Sequence, residues 1–206
     1  PDVDDHGTSV PDYAYVFPFG MRLNKVDADD NTILLPGAKF VLYHFHGTEK
    51  HYVGKVGAEG EILSWTPYLN EAALNAAVEA EEDAEKKAAI TAQGYAHEFI
   101  TDADGNFTVD GLDEGTIYYL SETAAPAGYN KMFTDIKFSI QPTYGTNSNG
   151  VPIVESITYL VDGNSTTITS GEDFAAGRIV VTALNDKGNT LPSTGGIGTT
   201  IFYILG

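Results

Sequence analysis

The sequence predicts an all-β sandwich with one inserted α-helix, on three observations. Short segments of alternating apolar and polar residues recur along most of the chain, separated by Gly, Asp and Asn turns. A single stretch rich in Ala and Glu interrupts them. The 206 residues are 42% hydrophobic and 11% aromatic, enough apolar material for a packed core.

The elements follow in order. Residues 1–12, "PDVDDHGTSVPD", are acidic and polar with two prolines, and are expected to be a linker from an upstream domain. The ordered sandwich is expected over residues 13–189. Its first strand carries a stripe in steps of two, Tyr13, Tyr15, Phe17, Phe19, Met21 and Leu23, that arrives at Lys25. "ADDNTILLPG" reads as a turn, "AKFVLYHF" as a second strand, and "HYVGKVG" with "EILSW" as a hairpin. A helix is predicted over residues 67–93, with Thr66 as N-cap, Pro67 at its first position and Gly94 as its stop. Glu82 with Lys86 and Asp83 with Lys87 are spaced for i,i+4 pairing on it, and its few large apolar residues place it outside the core. Beyond it, "HEFITDADGNFTVDGL", "TIYYLSE", "TDIKFSI", "VESITYLV", "STTITS" and "GRIVVTALN" return to strands and turns.

Charge and composition exclude several functions. A formal charge of -18 repels nucleic-acid backbones and anionic membranes and suits a secreted surface. With no cysteine, the fold has neither disulfide bracing nor a thiol nucleophile. No cofactor is expected, and no G-x-S-x-G, P-loop or dinucleotide motif supports a turnover enzyme. His44 and His46 share a strand face near His51, but read as strand histidines beside a turn rather than a zinc site. "DADDN" (Asp27, Asp29, Asn31) and "DADGN" (Asp102, Asp104, Asn106) start like calcium loops. Thr32 and Phe107 stand where such loops need glycine, and no closing glutamate follows, so both are read as acidic turns.

Three stripes end in polar groups that share a chemistry. Tyr118 and Leu120 share a face with Glu122, and Ile179, Val181 and Ala183 share one with Asn185, as Leu23 does with Lys25. If the three ends meet in one core, a buried Lys25–Glu122 ion pair hydrogen-bonded to Asn185 is one outcome. Burial disfavours both charged forms, so a second outcome is nucleophilic attack of neutral Lys25 on the Asn185 carboxamide, polarised by Glu122, with loss of ammonia.

"YYLSETAAPAGY", residues 118–129, matches at each defined position the E-box, Y-x-L-x-E-T-x-A-P-x-G-Y, of the Cna B-type domains found in Gram-positive pilins and surface adhesins. "NKVDADD…LPGAKFVLY" looks like the first two strands of such domains and "GRIVVTALN" like the last, so the resemblance spans roughly residues 20–189. It implies a prealbumin-like, immunoglobulin-like β-sandwich with an isopeptide bond between Lys25 and Asn185, promoted by Glu122. The reaction runs once per molecule, so the chain is no enzyme in the ordinary sense.

"LPSTGG" follows the last strand, ahead of "IGTTIFYILG", and resembles a sortase sorting signal. The resemblance implies that Leu191, Pro192, Ser193, Thr194 and Gly195 form the recognition site, cleaved between Thr194 and Gly195. Thr194 would then pass to an amine of a neighbouring pilin subunit or of cell-wall peptidoglycan. Residues 190–206 are accordingly expected to be the sorting signal and a truncated hydrophobic tail, and the chain a fragment. The implied role is a structural subunit of an extracellular, wall-anchored pilus, foremost of its shaft, with no membrane segment in the mature form. No Y-P-K tripeptide supplies an acceptor lysine, so the acceptor is expected in an upstream domain. The alternative is an ancillary or basal pilin, or an adhesin binding a host surface ligand.

Overall fold

The computed structural model describes residues 14–188. The expected lead-in at 1–12 and the sorting-signal residues Leu191, Pro192, Ser193, Thr194 and Gly195 lie outside the described residues. In chain order the elements are β1 (Phe19–Asp27), β2 (Lys39–His46), β3 (Glu49–Val56), β4 (Ile62–Thr66), α1 (Glu71–Ala80) and α2 (Ala84–Gln93). There follow β5 (Phe99–Ile100), β6 (Asn106–Leu112), β7 (Tyr118–Ala124), β8 (Ile136–Thr146), β9 (Pro152–Val161), β10 (Asn164–Ile168), α3 (Glu172–Ala175) and β11 (Arg178–Asn185).

The strands form two sheets, as the alternating pattern predicts. The smaller has the order β11-β1-β6, and the larger β10-β9-β8-β7-β2-β3-β4, with β5 on β2. Their inner faces enclose a core that includes Met21, Leu23, Phe40, Leu42, Leu120, Phe138, Ile140, Ile179 and Val181, each at most 1% exposed. The first and last strands lie side by side: β1 pairs with β11 in parallel, Lys25 opposite Ala183 and Asp27 opposite Asn185. The chain therefore enters this sheet at one end and leaves it at the other.

Two expectations about the first strand need correction. The strand begins at Phe19, and Tyr15 ahead of it is half exposed, so the early part of the aromatic stripe is not core; Tyr13 lies outside the described residues. Nor does the buried stripe stop at Lys25. It runs one step further to Asp27, which is 0% exposed.

The single helix over 67–93 is two helices. Asn70, not Thr66, caps α1, accepting from the Ala73 N–H at 2.9 Å, and Asp83 caps α2, accepting from the Lys86 N–H at 2.9 Å. A continuous helix would stack Glu79 over Asp83 and Glu81 over Glu85 at i,i+4, a like-charge arrangement. Breaking it turns Asp83 from a repelled neighbour into a cap; the expected Glu82–Lys86 pair loses its helical spacing, and the Asp83 carboxylate of the expected Asp83–Lys87 pair is turned to the Lys86 N–H. Gly94, with φ of 68°, closes α2 as expected. Thr66 ends β4 and is buried, its hydroxyl donating to the Gly94 carbonyl at 2.9 Å. One side chain thus joins the two ends of the insert. Only Leu74 of the two helices is buried, which puts the insert outside the core.

Candidate functional site

Lys25, Glu122 and Asn185 meet in the interior. Each sits on an inward face through strand alternation: Lys25 two residues after Leu23 on β1, Asn185 two after Ala183 on β11, and Glu122 two after Leu120 on β7. The first two are neighbours in the small sheet, and Glu122 faces them from the large one. They are 0%, 2% and 2% exposed. The Lys25 amine donates to the Asn185 Oδ1 and, at 3.2 Å, to the Ala183 carbonyl. It lies 4.0 Å from Glu122 Oε1.

The Asn185 carboxamide is held between amine and carboxyl. Its Nδ2 donates to Glu122 Oε1 at 3.0 Å and Oε2 at 3.2 Å. The sequence reading sets Glu122 against the Asn185 carbonyl; here it receives the NH₂ group instead. A half-turn of the carboxamide about its Cβ–Cγ bond exchanges the two contacts. Glu122 is itself positioned by the Met132 N–H, which donates to Oε2 at 2.7 Å.

Burial sets the protonation of the amine. Removal from water pulls the Lys25 pKa down to about 8, against the opposing pull of the Glu122 carboxylate. About a tenth of the amine is then neutral at pH 7, carrying the lone pair a nucleophile needs. The backbone of Lys25 is fixed independently: its N–H donates to the Gly105 carbonyl at 2.8 Å and its carbonyl accepts from the Leu35 N–H at 2.9 Å. Gly105 has φ of 71°, and a Cβ there would come within 2.7 Å of the Lys25 carbonyl oxygen.

A second polar cluster, which the sequence reading missed, lies just past the first. Asp27 Oδ2 accepts from the Tyr129 hydroxyl at 2.8 Å and pairs with the Lys187 amine at 2.9 Å. Its Oδ1 accepts from the N–H groups of Asp29 and Asp30, so the acidic turn read in "DADDN" is present but capped by a buried carboxylate. The signal was available: Asp27 and Lys187 continue, by two residues, the faces that carry Lys25 and Asn185. Tyr129 closes the E-box motif, but nothing in the local sequence says what its hydroxyl reaches.

The other turn behaves as read, with Asp102 accepting from the N–H groups of Asp104 and Asn106. His44 pairs with His51 across β2 and β3, and its ring stands edge-on to Trp65 with centroids 4.5 Å apart. Burial holds its pKa below the usual histidine value. Among the described residues, no group of three or more His, Asp or Glu side chains is placed to hold a metal ion. No helix among them is long and apolar enough to cross a membrane.

Comparison with known proteins adds a family and several similar solved structures. A comparison with curated protein sequences finds no match. Among solved structures, the chain is similar to the pilus 2b backbone protein of group B streptococcus, at 23% identity and a TM-score of 0.46, covering 85% of this chain and 43% of that one. It is also similar to the shaft pilin SpaA of Lactobacillus rhamnosus GG, at 18% identity and a TM-score of 0.43, covering 85% and 48%. The pilus backbone protein of Streptococcus pneumoniae gives 23% identity and a TM-score of 0.41, covering 84% and 42%. The chain thus spans less than half the length of each of these three. The model of the SpaA prealbumin-like fold domain matches residues 20–151, from the second residue of β1 to the turn between β8 and β9. That span holds Lys25 and Glu122 and most of the strands of both sheets, and the chain belongs to the SpaA prealbumin-like fold domain family.

Proposed function

We propose that this chain is a structural domain of an extracellular, sortase-assembled pilus subunit, foremost of the shaft, braced by an amide between the side chains of Lys25 and Asn185. The observation that carries the reading is the buried contact of amine, carboxyl and carboxamide on three strands of two facing sheets. Family membership and the sorting-signal sequence at 191–195 support the assignment to the cell surface.

In the reaction the neutral Lys25 amine attacks Cγ of Asn185. The bond from Cγ to Nδ2 breaks as the new bond to Nζ forms. One proton from Nζ passes to Glu122, which returns a proton to Nδ2, so ammonia leaves and Glu122 ends as it began. The aromatic and aliphatic core keeps water from competing for the carbonyl carbon. No second substrate enters, and the chain is spent after one event.

The mechanical outcome follows from the parallel pairing of β1 with β11. Tension applied at the ends enters β1, runs a few residues to Lys25, crosses to Asn185 and leaves. Residues 26–184 hang outside that path. A cysteine-free surface protein gains a brace that thiols cannot open. Intact-mass measurement tests the reading: the protein weighs one ammonia less than its sequence, and proteolysis yields a joined peptide containing Lys25 and Asn185. An undiminished mass removes the crosslink. Incubation with a sortase and an amine tests the assembly role, which fails if no cleavage occurs after Thr194.

A further inference from the structure

We infer that Asp27, Tyr129 and Lys187 form a latch that positions Asn185 and Glu122 for the Lys25 crosslink, an inference that rests on the crosslink reading above.

Asn185 is the last residue of β11, and β1 ends beside it at Asp27. Without further support the acceptor carboxamide would sit at a fraying strand end. The chain beyond it is instead zipped to the loop that follows β7. The Asn130 N–H donates to the Asp186 carbonyl at 2.9 Å, and the Gly188 N–H to the Gly128 carbonyl at 2.8 Å, with Tyr129 opposite Lys187 between them. The same loop reaches back two residues later, where the Met132 N–H holds Glu122 Oε2. One short segment, residues 128–132, therefore indexes both the acceptor strand and the glutamate.

Asp27 ties that segment to the strand that carries the nucleophile. Tyr129 and Lys187, one from each side of the zipped pair, converge on its Oδ2, while the turn N–H groups hold Oδ1. Asp27 and Lys25 share a face of β1, and Lys187 and Asn185 alternate by the same two residues, so the latch repeats the reactive pairing one step further out. The two pairs differ in electrostatics. The Lys187 ammonium, the Tyr129 hydroxyl and the turn N–H groups hold the Asp27 carboxyl well below the usual carboxylate range, and Asp27 raises the amine of half-exposed Lys187. A protonated amine has no lone pair to donate, so this outer pair stays an ion pair while the inner one condenses.

Cell-free synthesis of the full chain, sampled by intact mass over time, tests the inference. Tyr129→Phe removes a single hydroxyl, and Lys187→Met removes a half-exposed charge that the core does not need. Each is expected to slow the loss of ammonia by roughly tenfold or more, since a misplaced carboxamide spends less time within reach of the amine. Lys187→Arg, which keeps the charge, is expected to restore most of the rate. Circular dichroism and the melting temperature show whether each variant is folded. Folded Tyr129→Phe and Lys187→Met proteins that lose ammonia as fast as the wild type overturn the latch and leave the crosslink standing. A wild-type chain that never loses ammonia overturns both. A slowed reaction that Lys187→Arg fails to rescue overturns the role of the ion pair.

Discussion

Replacing Asn185 by alanine separates a covalent brace from a buried ion pair, because Lys25 and Glu122 remain opposite each other in the variant. An amide joining positions 25 and 185, which stand 160 residues apart, would close a loop over most of the domain. The chain-entropy relation for such a loop gives about 5 kcal/mol of stabilisation at 25 °C. For a domain of this size each kcal/mol moves the melting temperature by about 2–4 °C, so the variant is expected to melt about 10–20 °C below the wild type. If Asn185 served only as a hydrogen-bond partner of the buried pair, its loss would cost about 1.5–3 kcal/mol and roughly 3–12 °C, with no ammonia missing from the wild type. Scanning calorimetry with intact mass on the same samples reads both quantities. A wild type that shows no ammonia deficit, with a variant that melts only within that smaller interval below it, refutes the covalent reasoning.

Other expectations follow from the same geometry. Glu122→Gln keeps the volume and an acceptor for the Met132 N–H but carries no proton between amine and leaving group; intact mass should show the ammonia retained, with Lys25 and Asn185 both present. Since the Lys25 pKa is lowered to about 8, the neutral fraction rises as pH rises. The crosslinking rate of newly synthesised chain should therefore climb about tenfold per pH unit below that value and flatten above it. In single-molecule stretching from both ends, Lys25→Ala should release roughly 530–580 Å of contour that the wild type withholds, the length of the bypassed residues. Gly105→Ala should destabilise by more than about 1 kcal/mol, because a methyl there strikes the Lys25 carbonyl and the backbone is left-handed; chemical denaturation measures it.

The parts of this molecule that sequence made legible are those where side-chain period alone decides the answer. A two-residue alternation places Lys25, Glu122 and Asn185 on inward faces, and burial then follows from the apolar residues before them. Asp27 is not legible in this way, because its neighbours form a good acidic turn and such a turn accounts for a carboxylate by itself. Its burial depends on Tyr129 and Lys187, which are distant in sequence, and no local pattern encodes that convergence. The insert shows the opposite failure: Ala, Glu and Lys dominate 67–93, so composition gives no break. The break comes from a competition between stacked carboxylates and side-chain capping at Asp83, whose balance depends on detail below the resolution of composition. The lone four-residue helix α3 had no periodic signal to reveal it.

The bond between the Thr66 hydroxyl and the Gly94 carbonyl has a bearing on how this surface can diversify. Because both feet of the excursion stand together on the sheet, the intervening residues can be exchanged, lengthened or removed at little conformational cost, with the core between the two sheets left in place. The scaffold thus offers a socket for foreign cassettes, placed away from the strands through which tension would travel.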